Sequence, residues 1–455
     1  MVSKKLADFI VGVDWKKIKP LLNWVYLKSL ITDAIVCALA GSKGPCADIV
    51  LGTFSRLSNL EQSSIIGSPA KTSVPYAAFI NTFFARNYTF DDTYEAGVVH
   101  SGSAATMSSL VLGEWLNAGI EETLAAMVAG YEVATRVAGA LNPSHYAKGF
   151  HPTGTCNTLG VAALASRFLH LDAEKASTAL RLAADQACGF RQYQLDGSIV
   201  NSAFHAAKAA ENGIIAALLA KEGFADPGDT LAGRFGLFHN TADGWDADTL
   251  LSNLGSDFHC LGSSLKPYPS CRYMHGAVDA TAKCMKENHL TLSDVKAINV
   301  YTFKLAFEEG NRPQPQTVLD AQFSIHYNVA AYLRKGALGV EDFAPGALRE
   351  PKVRDLCQKI KVFESPDLSK DYPAQWPFRV EIISQDGNAF SHQVSFPPGS
   401  AANPLEPEEF EKKCLLLLKP VMPEKRAKEM LLRLQRLEDF ATAANLMTYL
   451  REVMA

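Results

Sequence analysis

The chain has 455 residues, too many for one ordinary hydrophobic core, so two or more domains are expected. Its formal net charge is -4, and 44 basic residues against 48 acidic ones leave no nucleic-acid or polyanion signature. Hydrophobic residues at 47% and charged ones at 20% exclude a disordered chain.

The nine cysteines include no CxxC pair and no His/Cys cluster at zinc spacing. They read as reduced thiols of a cytosol-like compartment, and an iron–sulfur site is not expected. The N-terminal stretch MVSKKLADFIVGVDW has neither the apolar core nor the cleavage site of a signal peptide. The most apolar run, Ser29–Gly41, is broken by Asp33 and falls short of the roughly 20 residues that span a bilayer. A cytoplasmic protein without a membrane partner is the expectation.

Helical periodicity dominates up to about Leu261. Apolar residues recur at three- and four-residue spacing in Ile18–Ala40, Pro75–Arg86, Ser103–Ala118, Ile120–Leu141, Thr153–Leu169, Ala173–Cys188 and Ser202–Glu222. The texture changes near Leu265. Val295–Phe303 alternates like a strand, Lys361–Ser365 is a short strand, and Phe378–Phe396 reads as a hairpin turning at Asp386-Gly387. Helical spacing returns in Cys271–Lys286 and Ala321–Arg334, which makes this part α+β. Beyond Pro398 the helices Glu406–Leu418 and Pro423–Leu437 are predicted to fold back on the first domain, because the stripe Leu415–Leu418 needs an apolar partner. The expected architecture is a large all-helical domain from residues 1–262 and 397–455, with a smaller α+β lid from 263–396.

Several polar stretches could carry chemistry. Ala147–Gly160 (AKGFHPTGTCNTLG) sets His151 at a helix start, with Gly149 and Gly154 for tight turning and Thr153 or Thr155 as a cap. An imidazole beside helix N-terminal amides suits a carboxylate ligand. Phe90–Gly102 (FDDTYEAGVVHSG) gathers Asp91, Asp92, Thr93 and His100 in a loop, and FRQYQLD offers Arg191 as a carboxylate clamp. His205 lies on an Ala-rich helix and Tyr327 in FSIHY. In Leu265–His275 (LKPYPSCRYMH) two prolines hold Lys266 and Arg272, and a lysine near other cations can act as a base. Each stretch also has a plainer reading, as capped loop, surface ion pair or core histidine. No Ser-His-Asp order, no GxGxxG after a strand and no P-loop is present.

Together these stretches resemble the MmgE/PrpD family over nearly the whole chain, through FDDT with His100 downstream, GFHPTGT at Gly149–Thr155, LKPYP at Leu265–Pro269 and the FSIHY helix. The resemblance implies a homodimer with an active site between a helical domain and a lid, acting on small di- or tricarboxylates without metal or organic cofactor. That family includes 2-methylcitrate dehydratase, cis-aconitate decarboxylase and iminodisuccinate epimerase. It implies site roles for Thr93, His100, His151, Lys266 and Tyr327, and Tyr146 with Lys266 matches the acid/base pair of the epimerase branch. Three positions depart from the dehydratase and decarboxylase pattern: Thr89 for an aspartate, Ser202 for a lysine, and Cys271 for a histidine of the decarboxylase.

The expected chemistry is proton transfer at a carbon next to a carboxylate. Lys266 and Tyr146 are the acid/base candidates, assisted by His151 and His100. Thr93, Asp92, Arg191, His205, Arg272 and Tyr327 are candidates for substrate binding. A dehydratase- or decarboxylase-type lyase comes first, a cofactor-independent epimerase of the iminodisuccinate type second, and a non-catalytic carboxylate-binding homologue third.

Overall fold

The computed structural model describes residues 1–454, apart from the side chain of Ile199. The helices follow the apolar periodicity: Trp24–Gly41, Val74–Arg86, Ser101–Trp115, Ile120–Leu141, Pro152–Phe168, Ala173–Gln186 and Ile199–Lys221 form the body. Their composition sets their spacing. A side chain at Gly130 would strike the Gly160 carbonyl oxygen at 2.7 Å, so the helices Ile120–Leu141 and Pro152–Phe168 approach through glycine. Helices at Val2–Gly12, Ala47–Leu57 and Ala443–Met454 add to those read from the sequence.

The chain after the lid returns to this body. Leu417, Leu418, Met430 and Leu446 share one buried core with Leu27, Ile31, Phe84 and Leu110. Lys413 reaches through that core to Asp33 at 2.5 Å and donates to the Phe90 carbonyl at 2.9 Å. Two body helices, Trp24–Gly41 and Ile120–Leu141, are long and apolar enough to cross a bilayer, which the sequence reading excluded. Both bury most of their length in the core, so packing accounts for their apolar character.

The lid is built on a four-stranded sheet. Val295–Thr302 pairs in parallel with Ile360–Glu364 and antiparallel with Phe378–Ser384, and Ala389–Val394 completes the hairpin at the edge. Val295, Ile298, Val300, Phe378, Val380 and Ile382 point inward, and the helix His275–Glu287 covers them. The predicted Asp386-Gly387 turn forms, with Gly387 at φ 89°. The helix predicted over Ala321–Arg334 is split into Val318–Gln322 and Ile325–Lys335, with Ser324 capping the second by accepting from Tyr327 N at 3.0 Å.

Two crossings join body and lid. Leu265 donates to the Gly399 carbonyl at 2.9 Å, so the segment entering the lid lies beside the one leaving it. Thr93–Tyr94 pairs antiparallel with Ser263–Ser264, which ties the FDDT loop to the approach of Lys266. The segment before that approach is pinned by the buried Glu132–Arg136 pair. Glu132 accepts from His259 N and Cys260 N at 3.0 Å each, and Arg136 donates to the carbonyls of Ser252 and Asp257 at 2.8 Å.

Candidate active site between body and lid

One cavity lies where the two parts meet. The body lines it with Arg86, Thr89, Thr93, Val98, His100, Tyr146, His151, Tyr193 and Gln194. The entry segment adds Lys266, Cys271, Arg272 and Tyr273, and the lid adds Phe323 and Trp376. The space open to the centre of a water molecule is about 30 Å³, room for about two waters. A larger ligand therefore requires the lid or the lining side chains to move. Tyr146 and Tyr193 belong to the body in sequence but pack with Tyr273 and Cys271 in the lid's core.

Lys266 is fully buried and donates to the Thr89 carbonyl at 2.8 Å. Burial, then the charge of Arg86, pushes its ammonium down to about 7. Tyr146 behaves oppositely: burial and then Glu309 hold its phenol well above the ordinary tyrosine value, so it stays protonated. Gln194 donates to its hydroxyl at 3.2 Å, and the Arg191 guanidinium stacks 3.5 Å from its ring centre.

Both histidines stay neutral. Burial, then Arg86, holds His100 well below the ordinary value, and burial, then His205, does so for His151. His100 Nδ1 lies 2.7 Å from the Asp92 carbonyl, which can only accept. Nδ1 therefore carries the proton, and Nε2 keeps its lone pair. Nδ1 also lies 3.1 Å from Thr93 Oγ1. His151 stands at the N-cap of Pro152–Phe168 and caps nothing with its side chain. Its Nδ1 faces His205 Nδ1 at 3.1 Å, and its Nε2 faces the Tyr193 hydroxyl at 3.4 Å.

The two threonines expected to cap that helix do other work. Thr153 accepts from His100 N at 3.2 Å, and Thr155 lies 2.8 Å from His145 Nε2. Gly154 is needed for close approach rather than for turning, since a Cβ there would meet the Cys188 carbonyl oxygen at 2.3 Å. The backbone is strained at two lining positions, Thr89 at φ 56° and Val98 at φ 49°. Both residues are β-branched, and such conformations cost on the order of 1–3 kcal/mol each and recur at functional sites.

The structure brings together six of the residues singled out from the sequence: Lys266, Tyr146, His151, His100, Thr93 and Arg272. It keeps four outside the lining. Tyr327 is buried in the lid, donates to the Asp342 carbonyl and packs on Phe343. Asp92 turns inward to accept from Gly102 N at 3.0 Å and from the Tyr131 hydroxyl, and burial followed by the neighbouring Asp91 raises its carboxyl to about 7. Arg191 lies behind Tyr146, its fork taken by Gln194, the Tyr146 carbonyl and Glu309. His205 stands behind His151. Arg272 lines the cavity but spends its donors on Glu95 at 2.8 Å and on the carbonyls of Pro398 and Pro397 at 2.6 and 3.1 Å. Of the departures, Thr89 and Cys271 line the cavity, while Ser202 is buried in its helix with an unpartnered hydroxyl.

Sequence reasoning missed Arg86, Gln194, Tyr193, Tyr273 and Trp376. Gln194 and Tyr193 were within reach, since FRQYQLD holds them beside Arg191. Arg86 ends a helix, where arginine ordinarily answers the helix dipole from the surface, so only tertiary contact reveals its burial. Among the described residues, no three His, Cys, Asp or Glu side chains gather as a metal-binding group.

A helical body and an α+β lid that meet over a buried amine, a phenol and two histidines define a two-domain protein with titratable side chains gathered between its parts. The chain belongs to the MmgE/PrpD family: the family's N-terminal domain matches residues 4–250 and its C-terminal domain residues 268–439. A cis-aconitate decarboxylase of Aspergillus terreus is 27% identical over 449 residues, 92% of this chain and 90% of the relative. The Homo sapiens cis-aconitate decarboxylase is 25% identical over 472 residues, 99% and 95% of the two chains. A cis-aconitate decarboxylase-like protein, oryM, of Aspergillus oryzae is 24% identical over 455 residues, 94% of this chain and 91% of the relative.

Proposed function

We propose that this chain is a lyase of the dehydratase or decarboxylase type, acting on a small di- or tricarboxylate by proton transfer at the carbon next to a carboxylate. One observation carries the reading. One cavity holds an amine pushed down to about 7, Lys266, and a phenol kept protonated, Tyr146. The first accepts a proton and the second returns one. Relatives named as cis-aconitate decarboxylases support lyase chemistry.

In the proposed reaction the Lys266 amine takes the proton from the carbon next to the carboxylate. The electron pair left behind delocalises onto that carboxylate as an enediolate. Donors aimed at its oxygens stabilise the developing charge, and the dry cleft strengthens them. Loss of a leaving group from the adjacent carbon completes a dehydration. In a decarboxylation the carbon–carbon bond to a carboxylate breaks instead, and the carbon that keeps the electron pair receives a proton. His100, through its Nε2 lone pair, and His151 assist. No metal or organic cofactor enters these steps.

Epimerisation is the second reading, favoured by the origin of the acid and the base on different segments. Lys266 stands on the entry to the lid and Tyr146 on the body. Proton removal by one and return by the other inverts the carbon.

Proton NMR in deuterium oxide with a panel of carboxylic acids separates these readings. A new vinyl signal is expected of a lyase, and deuterium wash-in without a new compound is expected of an epimerase. Neither, for any acid that binds, would mean a carboxylate-binding protein without turnover. The homodimer implied by the family is checked by light scattering on the purified chain.

A further inference from the structure

Arg86 lines the cavity with a guanidinium that is only partly used. It is 2% exposed and pairs with Asp91 through a single nitrogen, Nη1 to Oδ1 at 2.8 Å. Its Nε is buried and has no partner. Burying a guanidinium donor without an acceptor is unfavourable, so it marks a place prepared for one. The Thr89 hydroxyl, three residues on and also lining the cavity, is likewise buried without a partner. Arg272 spends its donors on Glu95 and two carbonyls, and Arg191 lies behind Tyr146.

We propose that Arg86, with the Thr89 hydroxyl beside it, anchors the substrate carboxylate next to the carbon from which Lys266 takes its proton. This rests on the proton-transfer reading above. The charge of Arg86 bears on Lys266, His100, His151 and Tyr193 alike, which puts it electrically at the centre of the cavity.

Calorimetric titration of the full chain with succinate tests the proposal. Arg86→Gln is expected to weaken succinate about 100-fold, with Arg86→Lys retaining part of the affinity. Because Arg86→Gln strands Asp91 and can unfold the chain, the double variant Arg86→Met with Asp91→Asn removes the pair together. Circular dichroism checks that it folds, and it is expected to lose succinate affinity to a similar extent. Succinate binding unchanged in the folded variants overturns the Arg86 assignment alone. Failure of the wild type to bind succinate overturns the proposal together with the proton-transfer reading beneath it.

Discussion

The two walls of the cavity differ in kind. The body wall is polar and titratable, with Arg86, Thr93, His100, Tyr146 and His151, while the lid itself contributes Phe323 and Trp376. Lys266 belongs to neither wall, because it stands on the segment that crosses between them. The body can therefore hold charge and protons in fixed positions on helix ends, and the lid can exclude water with aromatic surface. Burial is the first cause of the downward shifts of Lys266, His100 and His151, ahead of the neighbouring charges. On this view the chemistry resides in the body and the crossing, and the lid acts by burial.

That division can be broken most sharply at the crossing. Lys266→Ala is expected to lower kcat/KM by about 100- to 10,000-fold while thermal unfolding remains cooperative. In the wild type, kcat/KM should rise as pH climbs through about 7, because only the deprotonated amine accepts a proton and the shift is downward from the lysine range. Near-normal turnover of the alanine variant would remove Lys266 from the mechanism.

On the body wall, Tyr146→Phe is expected to cost about 100-fold in kcat, since the proton donor goes while the ring and its Arg191 stack remain. Stopped-flow or steady-state assay on the proposed substrate class reads this directly, and a change confined to KM would make Tyr146 a binding group instead. Between the walls, Glu309→Gln tests the contact from the lid to Arg191. A loss of about 10-fold in kcat is expected, from looser placement of Tyr146, with little change in melting temperature.

Lid substitutions should be milder. Trp376→Phe keeps aromatic cover over the cavity and is expected to change kcat/KM by less than about 10-fold, at a stability cost of roughly 1–3 kcal/mol read by chemical denaturation. The smallest effect is expected at Tyr327→Phe. It removes the hydrogen bond to the Asp342 carbonyl and about 1 kcal/mol of stability, with activity within about twofold of wild type. A large loss of activity there would return Tyr327 to the site and undo the assignment of the lid to burial alone.

Local patterns made much of this legible. The alternation in Val295–Phe303 and Phe378–Phe396 marked the sheet, the three- and four-residue spacing marked the long helices, and LKPYP marked the junction that carries Lys266. Residue type and spacing sufficed there because helix and strand periodicities are set by near neighbours in the chain. Other features depend on partners far away in sequence. Arg86 reads as a surface residue at a helix end until the fold sets it on the cavity beside Lys266, 180 positions later. Arg191 and Arg272 read as free clamps until Glu309, Glu95 and the 397–398 carbonyls take their donors. By itself the sequence determined the elements and the residue types available for proton transfer. Tertiary structure alone decided which of those side chains are buried, which keep a donor free and which amine loses its charge near neutral pH, because burial and pairing are properties of the packed whole.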